Sequence, residues 1–164
     1  MARGFHYRRP MRLPWLLSPL LALACAHSPE PPPGPRPLGM NASLARNDAT
    51  LDLRFRYEVA TDRTLTLLVD LAAAGSGSVG PVRVDVRAKN LELVGDPVWS
   101  GELVAGTQAT PRFMLRPQAN GVGDVTVEYG PVDATTREQV ALKFLISAEQ
   151  VRPCQAADEA CKAP

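Results

Sequence analysis

The sequence predicts an all-β domain: a single antiparallel sandwich of seven or eight strands within residues 41–150. Three observations predict it. Apolar and polar residues alternate with period two in run after run, which puts one face of each run on a core and the other in water. Turn-forming residues separate the runs. No window longer than ten residues in this region carries a helical period.

The runs follow one another in order. Leu51-Asp-Leu53-Arg-Phe55-Arg-Tyr57-Glu-Val59 alternates without a miss, and Thr61-Asp62 ends it. Leu65, Leu67, Val69 and Leu71 make a second run, closed by the glycine-rich stretch 75–80. Val82, Val84, Val86 and Ala88 make a third, with Arg83, Asp85 and Arg87 between them. Shorter runs at 91–94, 98–104 and 111–116 are separated by turn signals such as Gly95-Asp96-Pro97 and followed by Ala119-Asn120-Gly121. Val125-Thr-Val127-Glu-Tyr129 precedes Gly130-Pro131, and Val140, Leu142, Phe144 and Ile146 complete the set.

A different chain precedes the domain. Residues 1–12 carry four arginines and no acid, residues 13–24 are apolar and uncharged, and small residues precede Cys25. A charged start, an apolar middle too short to span a bilayer, and a small-residue end form a secretion signal. Pro14 and Pro19 argue against a buried core helix there. Arg8-Arg9 would fit a twin-arginine signal, but Pro10 and Met11 depart from that pattern. Leu21-Ala22-Leu23-Ala24-Cys25 resembles the lipobox of bacterial lipoproteins, with Ala22 where that family usually has leucine. The resemblance implies diacylglycerol on the Cys25 thiol and a mature chain that starts there. Ala22 and Ala24 also satisfy the small-x-small rule of ordinary signal peptidase.

The cysteine count bears on the same choice. The chain has three cysteines, Cys25, Cys154 and Cys161, and an odd thiol is a liability in an oxidising compartment. Lipidation of Cys25 with a Cys154–Cys161 disulfide leaves none over. The segment from Cys154 to Cys161 is rich in helix formers, yet seven residues of straight helix separate Cα atoms by roughly 10 Å. A disulfide needs under about 7 Å, so the tail must bend if the pair is bridged. Six prolines between residues 28 and 38 favour an extended polyproline II spacer. The predicted organisation is therefore signal peptide 1–24, lipidated cysteine and linker 25–40, sandwich 41–150 and stapled tail 151–164.

Over residues 50–148 the pattern resembles the immunoglobulin-like or fibronectin-like accessory domains of bacterial surface proteins. Phe113-Met-Leu115 followed by Gly121-Val-Gly-Asp-Val125-Thr-Val127 is similar to their strand–turn–strand. The Cys…Trp…Cys hallmark of antibody domains is absent.

Composition removes several function classes. The formal charge of +1 includes the leader; without its four arginines, 14 basic residues face 17 acidic ones, leaving −3 and no basic patch for nucleic acid. Gly75-Ser-Gly77-Ser-Val-Gly80 matches G-x-G-x-x-G, but Pro81 and a strand follow instead of the helix a dinucleotide site needs, so it reads as a hairpin loop. Both histidines, His6 and His27, precede the domain. That excludes Ser–His and Cys–His nucleophilic pairs and histidine-held zinc or copper. Asp70, Asp96, Asp124 and Asp133 stand near predicted strand ends but form no calcium-loop motif. Neither a cofactor, a metal nor a small-molecule substrate is expected, and the chain is not expected to be an enzyme.

The candidate binding residues are Trp99, Arg54, Arg56, Arg83 and Arg87. An exposed tryptophan beside a turn can stack on sugar or anchor a partner, whereas a core tryptophan fills the space between sheets. The four arginines would form a basic strip if their strands lay side by side; interspersed Asp52, Glu58 and Asp85 fit an ordinary solvated face. The functional expectation is an exported lipoprotein, anchored to a bacterial membrane with the outer membrane favoured, facing periplasm or cell surface. Its sandwich would serve as a non-catalytic accessory module for an envelope protein partner. A purely structural envelope component and a carbohydrate-binding adhesion module are the alternatives. The stretch from Met11 to Cys25 is by itself a compact leader, which makes Met11 a candidate start; mapping of initiating ribosomes tests it, and initiation at Met1 alone would reject it.

Overall fold

Eight alternating runs become eight strands in the computed structural model, which describes residues 34–46 and 48–162. Cys25, the leader and the first part of the linker lie outside the described residues. The eight are β2 (Ala49–Val59), β3 (Leu65–Gly75), β4 (Ser78–Lys89), β5 (Leu91–Val94), β6 (Val98–Val104), β8 (Arg112–Pro117), β9 (Gly121–Pro131) and β10 (Glu138–Ile146). Three more strands bring the total among the described residues to eleven, against the seven or eight expected: β1 (Arg36–Arg46), β7 (Gln108–Ala109) and β11 (Val151–Pro153). None of the three alternates cleanly. β1 carries Pro37, Gly39, Asn41 and Ser43, residues that strands disfavour, and owes its conformation to pairing with β2.

The strands form two antiparallel sheets, one ordered β1–β2–β3–β8–β5 with β7 also on β3, the other β11–β10–β9–β4–β6. Within them, β2–β3–β8–β5 and β4–β9–β10 follow the ABED and CFG orders of the immunoglobulin-like sandwich. β1, β6 and β11 extend the sheets outward at their edges.

The two sheets hold together through an apolar interior. β2 contributes Leu51, Leu53 and Phe55, and β3 contributes Leu65, Leu67, Val69 and Leu71. Facing them are Val82, Val84 and Val86 of β4, Val125, Val127 and Tyr129 of β9, and Leu142, Phe144 and Ile146 of β10. Tyr57 meets Phe144 edge-on, with ring centroids 6.2 Å apart. No polar or charged residue is buried among the described residues. Each large apolar side chain so buried contributes about 1.5–3 kcal/mol.

One expectation about the connections changes. The glycine-rich stretch is not a hairpin: β3 and β4 belong to different sheets, and Ser76-Gly77 carries the chain from one to the other. A crossing this short needs a backbone that most residues do not adopt. Gly75 has φ +105°, and a Cβ there would lie 2.3 Å from the Asp48 carbonyl oxygen, which accepts the Ser76 N–H. The 119–121 turn likewise joins β8 in one sheet to β9 in the other. In addition, β1 begins at Arg36, inside the segment expected to be linker, and β11 lies inside the expected tail. The prolines at 35 and 37 are compatible with this because β1 is an edge strand with no partner on its outer side.

Replacing Phe55, 1% exposed, with alanine is expected to cost about 3–5 kcal/mol in urea unfolding. Gly75→Ala should also destabilise, by at least about 1 kcal/mol, because both its φ and its neighbour oppose a methyl group. Met114→Ala, at an exposed position, should stay within about 0.5 kcal/mol. Equal effects at Phe55 and Met114 would contradict this packing.

Candidate functional site

Alternation along β2 and β3 sends Asp52, Arg54, Arg56 and Glu58 to the outer face of the larger sheet, together with Thr66, Leu68 and Asp70. Leu68 is the exception to the pattern: it is 2% exposed yet lies outside the inter-sheet core. The register places it between Arg56 of β2 and Arg112 of β8. Both arginines are tied to acids at its flanks. Arg56 donates from Nε and NH2 to the two Asp70 oxygens at 2.5 and 2.7 Å, and Arg112 donates to Glu58 at 3.3 Å. The aliphatic stems of such arginines cover apolar surface while their heads remain in water.

Asp70 is the hub of this face. Besides Arg56 it accepts the Thr110 hydroxyl at 2.9 Å, so three donors converge on one carboxylate. The Arg56 hydrogen bonds hold its carboxyl below the usual carboxylate range against the opposing effect of burial, and Thr110 adds to the shift. Asp70 correspondingly raises the Arg56 guanidinium.

Two depressions open on either side of this hub. One, of about 400 Å³, is lined by Asp52, Arg54, Arg56, Asp70, Gln108 and Thr110 among others. The other, of about 440 Å³, runs under the irregular start of β1, past Gly39 and Asn41, and shares Arg54, Arg56 and Asp70. The register shift of β1 between Pro37 and Asn41 creates the second depression by lifting the strand from regular pairing. Arg54 is exposed at the boundary, opposite Asn41 on one side and Asp70 on the other. Among the described residues its guanidinium has no ion-pair partner. Asp52 accepts the Ser43 hydroxyl at 2.9 Å. The groove thus offers guanidiniums, carboxylates, amides and a hydroxyl, a set suited to hydrogen bonding with a ligand.

The predicted basic strip is divided. Arg54 and Arg56 stand on one sheet, Arg83 and Arg87 on the other, and the sandwich lies between them. Arg83 is bound to Asp85 at 2.8 Å, and Arg137, from the segment between β9 and β10, also donates to Asp85. Arg87 reaches Glu128 at 3.3 Å. Trp99 faces inward from β6, half-buried against the core, and its indole lies over Gly101, where a Cβ would come within 2.5 Å of the ring. That is the packing role rather than the stacking platform.

The aspartates near strand ends serve the fold. Asp133 binds Arg46 through two contacts of 2.7 Å, tying the end of β1 to the smaller sheet, and Asp96 accepts the Val98 N–H at 2.8 Å. No cluster of three or more histidine, cysteine or acidic side chains suited to a metal occurs among the described residues. Sequence reasoning missed Asn41, Gln108 and Thr110, which no motif marks. Leu68, which interrupts the alternation of β3, was the signal that its face carries covering side chains.

Cys154 and Cys161 are joined in a disulfide with Cα atoms 6.0 Å apart. The tail does bend: residues 154–158 form a turn, and only Glu159–Lys162 is helical. Asp158 organises it by accepting both Arg152 nitrogens at 2.7 Å and the Gln155 N–H at 2.7 Å. Those bonds, Arg152 foremost, hold the Asp158 carboxyl at about 2.

No protein-family model and no curated protein matches the chain.

Asp158 has an ordinary value of 3.8, so its folded value is depressed. The order that it gives the tail is then complete above about pH 4 and is lost as pH falls towards about 2. Carboxyl NMR titration should find its midpoint near 2 and, in Arg152→Gln, higher but still below 3.8, because the Gln155 N–H bond remains. An unshifted midpoint in the native protein would refute the pairing.

Proposed function

We propose that this chain is an exported lipoprotein whose sandwich is a non-catalytic binding module, held to a bacterial envelope membrane by a lipid on Cys25. The observation that carries the binding role is the groove around Arg54 and the Arg56–Asp70 hub. It is a place on the larger sheet where polar groups gather around a cation that has no ion-pair partner among the described residues. The leader and the even cysteine pair support the anchor: with Cys154 bonded to Cys161, Cys25 is the one thiol that needs a fate. Because β1 starts at Arg36, the spacer is shorter than the proline composition alone would give.

The module acts on an envelope protein partner, and the outer membrane is the favoured site, with the domain facing periplasm or cell surface. An adhesion role through sugar stacking finds less support, since the aromatic residue lining the groove, Phe55, is buried with its ring in the core, and Trp99 packs inward.

Intact mass of the mature protein tests the anchor. The expected species begins at Cys25, carries acyl chains and lacks the two hydrogens of a reduced Cys154–Cys161 pair. A species cleaved beyond Cys25 and free of lipid would refute the anchor. Mild cross-linking in membranes followed by purification tests the module, with a partner recovered in fixed stoichiometry as the expected result.

A further inference from the structure

We propose that the groove centred on Arg54 binds a carboxylate carried on an extended acidic segment of the partner protein; this rests on the binding-module reading above. The argument begins with what each charged group is already doing. Arg56 is committed to Asp70 through two nitrogens, and Asp70 is filled by Arg56 and Thr110. Arg54, opposite Asp70 in the β2–β3 register, feels that carboxylate only through a weaker attraction and makes no hydrogen bond or ion pair with it. Arg54 keeps its planar fork of donors exposed between the two depressions, and a carboxylate matches that fork with two parallel hydrogen bonds.

The surroundings select among anions. Asp70 is already paired with Arg56 and Asp52 flanks Arg54, so a single guanidinium is left to meet an incoming anion and does not neutralise a phosphate dianion. A carboxylate carries a single charge, which the Arg54 guanidinium offsets. Gln108 and Asn41 at the two margins can each donate and accept, as the backbone of a bound segment requires. The depressions extend across β1, β2, β3 and β7, three inter-strand spacings or about 14 Å, the length of roughly four extended residues. The floor is fixed in advance, because the Arg56–Asp70–Thr110 bonds hold it without a ligand. Little ordering is then required at binding.

Fluorescence anisotropy with the full-length protein in nonionic detergent tests the proposal, with a labelled Gly-Gly-Glu-Gly-Gly peptide amide and its glutamine counterpart as probes. The glutamate peptide should bind, and the glutamine peptide should bind roughly tenfold more weakly or worse, as expected for loss of a charge-assisted pair. Arg54→Gln should cause a similar loss, whereas Arg116→Gln, an exposed arginine outside the groove, should change affinity less than about twofold. Inorganic phosphate should displace the peptide no better than chloride of equal ionic strength. Absence of binding, unchanged binding by Arg54→Gln, equal loss in Arg116→Gln, or specific displacement by phosphate would each overturn the proposal. The same variant in the membrane cross-linking experiment separates the two readings. A partner retained by both wild type and Arg54→Gln refutes this site and leaves the module standing; a partner recovered with neither refutes the module itself.

Discussion

The interior between the two sheets admits only apolar side chains, and the rest of the molecule is arranged around that exclusion. Phe55, Phe144, Leu51, Leu53, Leu65, Leu67 and Leu71 fill it, and no charged or polar residue among those described is buried. Chemistry is thereby confined to outer faces and edges, where water keeps the cost of a charge low. The ion pairs found there are partly exposed, and each contributes little to stability singly. Their role is positional. Arg56–Asp70 and Arg112–Glu58 flank Leu68, Arg46–Asp133 ties β1 to the opposite sheet, and Arg137 holds the approach to β10 on Asp85.

The same logic explains the edges, which in an open sandwich invite unwanted pairing. β5 is only four residues long, and β11 has three, ending at Pro153 ahead of the disulfide-bonded tail. At the ends of β6, Asp96 accepts the Val98 N–H and Thr107 takes up both backbone groups of Val104. β1 is long but loses its register between Pro37 and Asn41. That irregularity also opens one side of the groove, so edge protection and the candidate site share a cause.

Strand positions were legible because period two is a local signal. Each of the eight alternating runs falls on a strand, although β3, β4 and β9 extend several residues past the run. The groove was only partly legible. Arg54, Arg56 and Asp70 stood out as polar residues in strand runs, but nothing in the linear pattern distinguishes an arginine held by aspartate from one left over. Asn41 belongs to a strand that has no alternation of its own, and Thr110 lies beside β3 only because β7 pairs there. Trp99 illustrates the converse. Its neighbours in sequence fit exposure or burial equally, and the decision came from Gly101 leaving space for the indole.

By itself the sequence determined the fold class, the eight principal strands, the even cysteine pair and the absence of histidine from the domain, because each depends on residue type and short-range spacing. Tertiary structure decided which strands share a sheet. That choice turned the glycine-rich stretch from a hairpin into a crossing and made β1 a strand despite its composition. It also separated Arg54 and Arg56 from Arg83 and Arg87 by the thickness of the core. The physical reason is that alternation specifies an inward face for each strand without specifying its neighbours. Neighbours are chosen by how all the apolar faces pack at once, and that choice sets Arg54 opposite an Asp70 whose hydrogen bonds go to Arg56 and Thr110.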